Sequence, residues 1–385
     1  MSQRTTLRML AESVGLDPEE IDKAEADGTL GLLVLDAVVV GERGIYTQDE
    51  IVARSGLGDD ARRFWRALGF PDPDPDDRMF SQIDLEMLQL VDAVVRLDLL
   101  DSKVALQMTR VIGSSMERIA QSHIDAIEAR IDSEEIALDD DEAAVQRAGL
   151  LLPTIPRILE YAWRRHLSSA ARRRLVRDAM AGGQHQVCVG FADLVGFTAL
   201  SQQLDDDALV EVVDRFESTA YDIVGRHGGR VVKMIGDEVM FEVADPGQGV
   251  EIALDLASAY HDDEEISDVR VGVAHGPVLQ REGDLYGPTV NLASRIVSIA
   301  FAGSVVVSGE LREVLEDDER YSFKTLRTRY LKHIGRVQLH SVRRVDDEAE
   351  SGFDRARRRR GLIRDKVAEI VERSIQGTAE VEPEE

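Results

Sequence analysis

Hydrophobic periodicity changes character once along this chain, and the change falls near Gly182–Gly183. Before it, apolar residues recur at three- and four-residue spacing, the period of a helix that buries one face. LRMLAESVGL, DEIVARSGL, ARRFWRALGF and DLEMLQLVDAVVRLDLLD all follow that period, and no strand pattern interrupts them. From Gln186 the apolar residues come in short runs between helical stretches. QVCVGFADL predicts a strand entering a loop, and TALSQQLDDDALVEVVDRFESTAYDIVGRHGG a helix ended by Gly228–Gly229. RVVKMIGDEVMFEV predicts two strands about a tight turn at Gly236–Asp237. The helix DPGQGVEIALDLASAYHDD, strand DVRVGVAHGPVL, helix PTVNLASRIVSIA and strand SVVVS follow. The order βαββαβ followed by αβ predicts an α+β sheet domain over 184–345, behind an all-α region over 1–155.

Within the helical half, Gly56, Gly69 and the PDPDPDD run at 71–77 punctuate the pattern. DDDEAAVQ predicts another helix from about Asp141. A connecting helix is expected over 156–183, rich in arginine (Arg157, Arg164, Arg165, Arg172, Arg173, Arg174, Arg177) and stopped by Ala181-Gly182-Gly183. Its arginines fit either a solvated face or a basic face that docks on acidic surface. Residues 346–385 predict a basic-to-amphipathic helix, FDRARRRRGLIRDKVAEIVERSI, and an acidic tail.

Charge limits the partners. The net charge of −27 argues against general affinity for nucleic acid or anionic membrane. Tyr46–Phe80 resembles the winged-helix half of MerR-type regulators in YTQDEIVARSGL, RRFWRALGF and MFSQIDLEML. Yet residues 41–100 carry 13 acidic against 7 basic side chains, net −6, where a DNA reader needs a basic face. No nucleic-acid partner is expected. The longest apolar stretch, GLLVLDAVVVG at 31–41, carries Asp36 and is far short of a membrane span of ~20 residues. No membrane partner and a cytoplasmic location are expected. The single cysteine, Cys188, lies in a strand pattern and is read as a small core thiol.

Chemistry concentrates between residues 193 and 295. Asp193 in FADLVGFT and Asp237 in KMIGD suit a divalent metal pair, because Mg²⁺ and Mn²⁺ prefer hard oxygen ligands and phosphates. Gly196, Phe197 and Thr198 lead into a helix whose first N–H groups suit a phosphate. Lys233 and Asp284 present a donor and an acceptor, a pattern that distinguishes purine edges. Asn291 and Arg295, four apart, share a helix face, and arginine suits phosphoryl oxygens.

With those residues in place, 184–343 resembles the class III nucleotidyl cyclases. FADLVGFT resembles the first metal motif, KMIGDEVMF the second, and HGPV with GDLYGPTVNLASR the substrate and transition-state segment. The resemblance implies a ferredoxin-like βαββαβ cyclase domain behind an all-α regulatory domain. It implies that ATP is converted to 3′,5′-cyclic AMP and pyrophosphate with two Mg²⁺ or Mn²⁺ ions per site. Asp193 and Asp237, joined by the Leu194 carbonyl, would hold the ions. Lys233 and Asp284 would select adenine, Asn291 would orient the ribose, and Arg295 would stabilise the pentavalent phosphorus. Lys332, in YLKHIGRVQLH, would reach the terminal phosphates; the family usually has glycine where His333 stands. Arg281 is a further candidate for a phosphate contact. The site would form between two copies of the chain, a homodimer with two sites. Guanylyl or dual-specificity activity, or a non-enzymatic regulator built on the MerR-like segment, are the alternatives. His275, in VAHGPV, is read as structural, and His166 and His185, near the end of the connecting helix, as surface residues or an acid sensor.

Overall fold

The computed structural model describes residues 3–132, 154–180, 186–263 and 266–346. The helix predicted near Asp141, the Gly182–Gly183 stop, His185 and the C-terminal tail lie outside the described residues. The chain divides into two compact units, residues 1–171 and 172–385. No described helix is long and apolar enough to cross a membrane.

The described part of the first unit is helical: α1 (Gln3–Ser13), α2 (Pro18–Asp27), α3 (Leu30–Val39), α4 (Gln48–Ser55), α5 (Asp60–Ala67), α6 (Gln82–Arg96), α7 (Ser102–Asp132) and α8 (Thr154–Met180), which runs past the boundary between the units. Side chains that compete with the backbone set the starts. Thr47 and Glu50 form a capping box at α4, and Ser81 and Asp84 another at α6. Small apolar clusters hold the helices together, one of Ala11, Ile21, Ala24, Leu30 and Val34, another of Ile51, Phe80 and Leu85. One isolated antiparallel bridge, Tyr46 to Phe80, ties the segment before α4 to the start of α6.

The second unit is built on a seven-stranded sheet. Its strands are β1 (Gln186–Leu194), β2 (Arg230–Ile235), β3 (Glu238–Val243), β4 (Val269–Pro277), β7 (Val305–Ser308), β8 (Tyr321–Thr325) and β11 (Leu339–Arg344). Their spatial order is β2-β3-β1-β4-β7-β11-β8, antiparallel except where β4 meets β7. Two short hairpins stand outside the sheet: β5 (Leu279–Arg281) with β6 (Asp284–Tyr286), and β9 (Arg329–Leu331) with β10 (Gly335–Val337). The helices are α9 (Phe197–Leu200), α10 (Asp206–Arg226), α11 (Pro246–Asp262), α12 (Pro288–Val297) and α13 (Gly309–Val314). The first four strands with their helices realise the expected βαββαβ order.

The period-two alternation of the strands divides the core by sheet face. Cys188, Ala192, Leu194, Phe241 and Val271 face α10 and α11, while Val187, Val189, Phe191 and Met240 share a cluster with Ala293, Ile296 and Val297 of α12. Cys188 is buried, and burial pushes its thiol up. Gly272 lets α12 lie against β4, since a Cβ there would meet the Val297 backbone nitrogen.

One helix departs from its predicted course. The stretch from Phe197 to Arg226 is not continuous: α9 is a single turn, and α10 begins only at Asp206. Asp205, in extended conformation, accepts a hydrogen bond from the Ala208 amide and restarts the helix. Aspartate at such a point caps more readily than it continues a helix.

Candidate active site

Asp193 lies near the C-terminal end of β1, a central strand, between Glu238 on β3 and Arg270 on β4 in register. Directly opposed residues point to one face, so the three form a row across the sheet. Arg270 donates from Nε to Asp193 Oδ2 at 2.5 Å. Burial pushes the Asp193 carboxyl up against the pull of Arg270, and Asp237 adds to the rise. Asp237 occupies the β2–β3 turn, where Gly236 takes φ +62, and its carbonyl accepts from the Leu194 amide at 3.0 Å. That bond ties the two aspartate-bearing segments together. Glu238 is pushed up to about 7, by burial first and then by Asp193 and Asp237.

This donor set fits a divalent cation. Asp193, Asp237 and Glu238 crowd negative charge with Arg270 as the cation paired to Asp193. Among the described residues no three acidic, histidine or cysteine side chains converge as a ready-made cage. Two carboxylates completed by substrate phosphates are what Mg²⁺ or Mn²⁺ chemistry needs.

On β2, Lys233 donates from Nζ to Asp284 Oδ2 at 2.6 Å. Asp284 opens β6, and its Oδ1 accepts from the Leu285 amide at 2.8 Å. Burial would raise this carboxyl, but Lys233, the Leu285 amide and Tyr286 outweigh it and hold it below the usual range. The structure therefore joins two residues fifty-one positions apart.

Asn291 and Arg295 are exposed on α12, whose other side buries Ala293, Ile296 and Val297. No hydrogen bond or ion pair joins either to Asp193 or Asp237 among the described residues. Lys332 is exposed in the β9–β10 turn, beside His333 at φ +67. This left-handed backbone gives a physical reason for glycine at the position of His333. Phe197 and Thr198 sit on the single turn α9 behind Gly196 at φ +84. A turn of four residues offers far less dipole than the long helix expected there. Arg281 is exposed and lies 3.4 Å from Glu282 in the β5–β6 turn. His275 pairs with Cys188 across β1 and β4, so it shares the sheet face of Cys188 and lies opposite the Asp193 face. His166 is exposed on α8.

Comparison with known proteins decides the family. The model of the adenylate and guanylate cyclase catalytic domain matches residues 180–343, and that of the adenylate cyclase regulatory domain matches residues 2–167. An adenylate cyclase of Streptomyces coelicolor is 36% identical over 304 residues, covering 78% of this chain and 80% of that one. The chain belongs to the adenylate cyclase family. A second cyclase relative, from Streptomyces griseus, is 37% identical over 284 residues, covering 73% of this chain and 71% of that one. The catalytic core of a rhodopsin-guanylyl cyclase with converted specificity, solved with ATPαS, is similar at 24% identity. That match has a TM-score of 0.40 and covers 42% of this chain and 97% of that one.

The cyclase domain also holds polar residues that sequence reasoning passed over. Glu238 and Arg270 flank Asp193, and Arg230, on the same strand as Lys233, pairs with Glu242 at 2.8 Å. All four are charged residues in largely apolar strands, a signal present in RVVKMI, EVMFEV and DVRVGV.

Proposed function

We propose that this cyclase converts ATP to 3′,5′-cyclic AMP and pyrophosphate at sites shared by two copies of the chain. The observation that carries the substrate is the Lys233–Asp284 pair, held at 2.6 Å. The adenine edge offers an acceptor at N1 and a donor at the 6-amino group, matching a lysine and a carboxylate. Guanine reverses both, setting donor against donor and acceptor against acceptor.

Asp193, Asp237 and the Leu194 carbonyl would hold two Mg²⁺ or Mn²⁺ ions. Such ions, when bound, acidify the 3′-hydroxyl and neutralise charge on the phosphates. Asn291 orients the ribose so that the 3′-oxygen lines up with the α-phosphorus. Arg295 donates to the equatorial oxygens as the new ester bond forms and the bond to the bridging oxygen breaks. Lys332 takes up charge on the departing pyrophosphate. The hydroxyl proton leaves to solvent, and positioning and electrostatics carry the rate.

The shared site is supported by the separation within one chain. Asp193 is engaged by its own Arg270, while Arg295 is exposed and bonded to neither aspartate. An isologous dimer places the Lys233, Asp284, Asn291 and Arg295 of one protomer against the aspartates of its partner, twice. The N-terminal unit regulates this dimer through α8, the described helix that precedes β1 in the sequence.

The test is product analysis with purified protein, ATP or GTP, and Mn²⁺ or Mg²⁺. Cyclic AMP is expected from ATP, with GTP used at least about a hundredfold less efficiently. Cyclic GMP as the main product would overturn the adenine reading.

A further inference from the structure

What holds Asp284 in place beside Lys233 is not the main sheet. Asp284 belongs to the β5–β6 hairpin, which stands outside it. Leu285 anchors β6 in the core beside Ala293 and Ile296, but the turn before it and the Asp284 carboxylate are left to polar contacts, and a single lysine–carboxylate contact with partly exposed partners is weak. The structure supplies a further polar attachment one residue away, on the turn itself. Arg230 NH1 donates to the Gly283 carbonyl at 3.0 Å, while its Nε donates to Glu242 Oε1 at 2.8 Å.

A strand irregularity makes this possible. Residues three apart on a regular strand point to opposite faces. Between Val231 and Lys233 the β2–β3 register slips by one residue, so Arg230 opposes Glu242 and Lys233 opposes Met240. Glu242 and Met240 share a face, and the bulge therefore sets Arg230 and Lys233 on that same face. They then grip adjacent residues of the hairpin, Gly283 by its carbonyl and Asp284 by its carboxylate.

The Arg230–Glu242 pair is poorly explained as a source of stability. Its side chains are 25% and 10% exposed. Arg230 NH2 and Glu242 Oε2 are both buried without a hydrogen-bond partner. Unsatisfied buried atoms and a desolvated ion pair cost free energy, and an apolar pair of the same volume is often as stable. Holding a geometry is the use that remains.

We infer that Arg230, braced by Glu242, is a positioning residue for purine selection: it fixes the β5–β6 turn so that Asp284 meets the base edge in register with Lys233. The inference rests on the reading of Lys233 and Asp284 as the adenine-selecting pair.

Two variants test it in the full-length chain. Arg230→Lys keeps a cation for Glu242 but lacks the fork that reaches both Glu242 and Gly283. R230M/E242Q removes the whole brace while keeping its volume. The readout is the ratio of kcat/KM for ATP to that for GTP, with Arg230→Lys decisive if the double variant fails to fold. Both variants are expected to lower the ratio about tenfold, the order of one well-placed hydrogen bond. An ATP preference in the unaltered chain that both variants retain, with the two nucleotides slowed alike, would overturn this inference alone. Equal use of ATP and GTP by the unaltered chain would overturn the adenine reading and this inference with it.

Discussion

The charge of Asp193 is set first by its burial and then by its charged neighbours. Arg270 draws its proton off, while burial and Asp237 hold it on. Glu238 shares the row of Asp193 across the sheet, and its carboxyl is pushed up to about 7. A raised acid pKa means the folded state binds a proton that the unfolded chain has lost. The cost appears as pH rises above the ordinary glutamate value and is complete above about 7. In metal-free protein, Glu238→Gln is therefore expected to raise Tm at pH 8 and to leave it unchanged near pH 4; thermal scans at the two values check this. The neighbourhood was only half legible in the sequence. Asp193 and Asp237 stand beside glycine turns at strand ends, where a polar residue has an evident purpose. Arg270 and Glu238 acquire theirs from cross-strand register, which joins β1 to segments more than forty residues away.

At the scale of elements, α12 carries Asn291 and Arg295, and its seat on β4 decides where they point. Gly272 is the contact that allows the close approach. Gly272→Ala is expected to lower stability by about 1–3 kcal/mol through overpacking. With Arg295 in its proposed role at the phosphate, it should also slow kcat at least about tenfold, since small displacements of such groups are costly. Denaturant titration and steady-state kinetics check the two effects. The elements themselves were largely readable, because strand alternation and helical period are local. The break at Asp205 was not, since the apolar period continues across it while the cap restarts the helix. The β2 bulge was also hidden. It appears only in pairing with β3, yet it puts Arg230 and Lys233 on one face.

For the whole molecule, the clusters described on both faces of the sheet are built from residues between Val187 and Val342, all within the second unit. Residues 184–385 are therefore expected to fold alone. Deleting 1–183 should leave an active cyclase whose rate differs severalfold from the full chain, read by parallel assays; an identical rate would leave the helical unit without a regulatory role. The family and the cyclase topology were legible because motif and βαββαβ order coincide over one stretch. The central claim, that an active site is assembled from two chains, is tested most directly by mixing Asp193→Ala with Arg295→Ala. Each variant alone should be inactive. Their refolded mixture should recover about a quarter of wild-type activity, because half the dimers are mixed and each of those has one intact site of two. No recovery, with mixed dimers shown to form, would contradict the account.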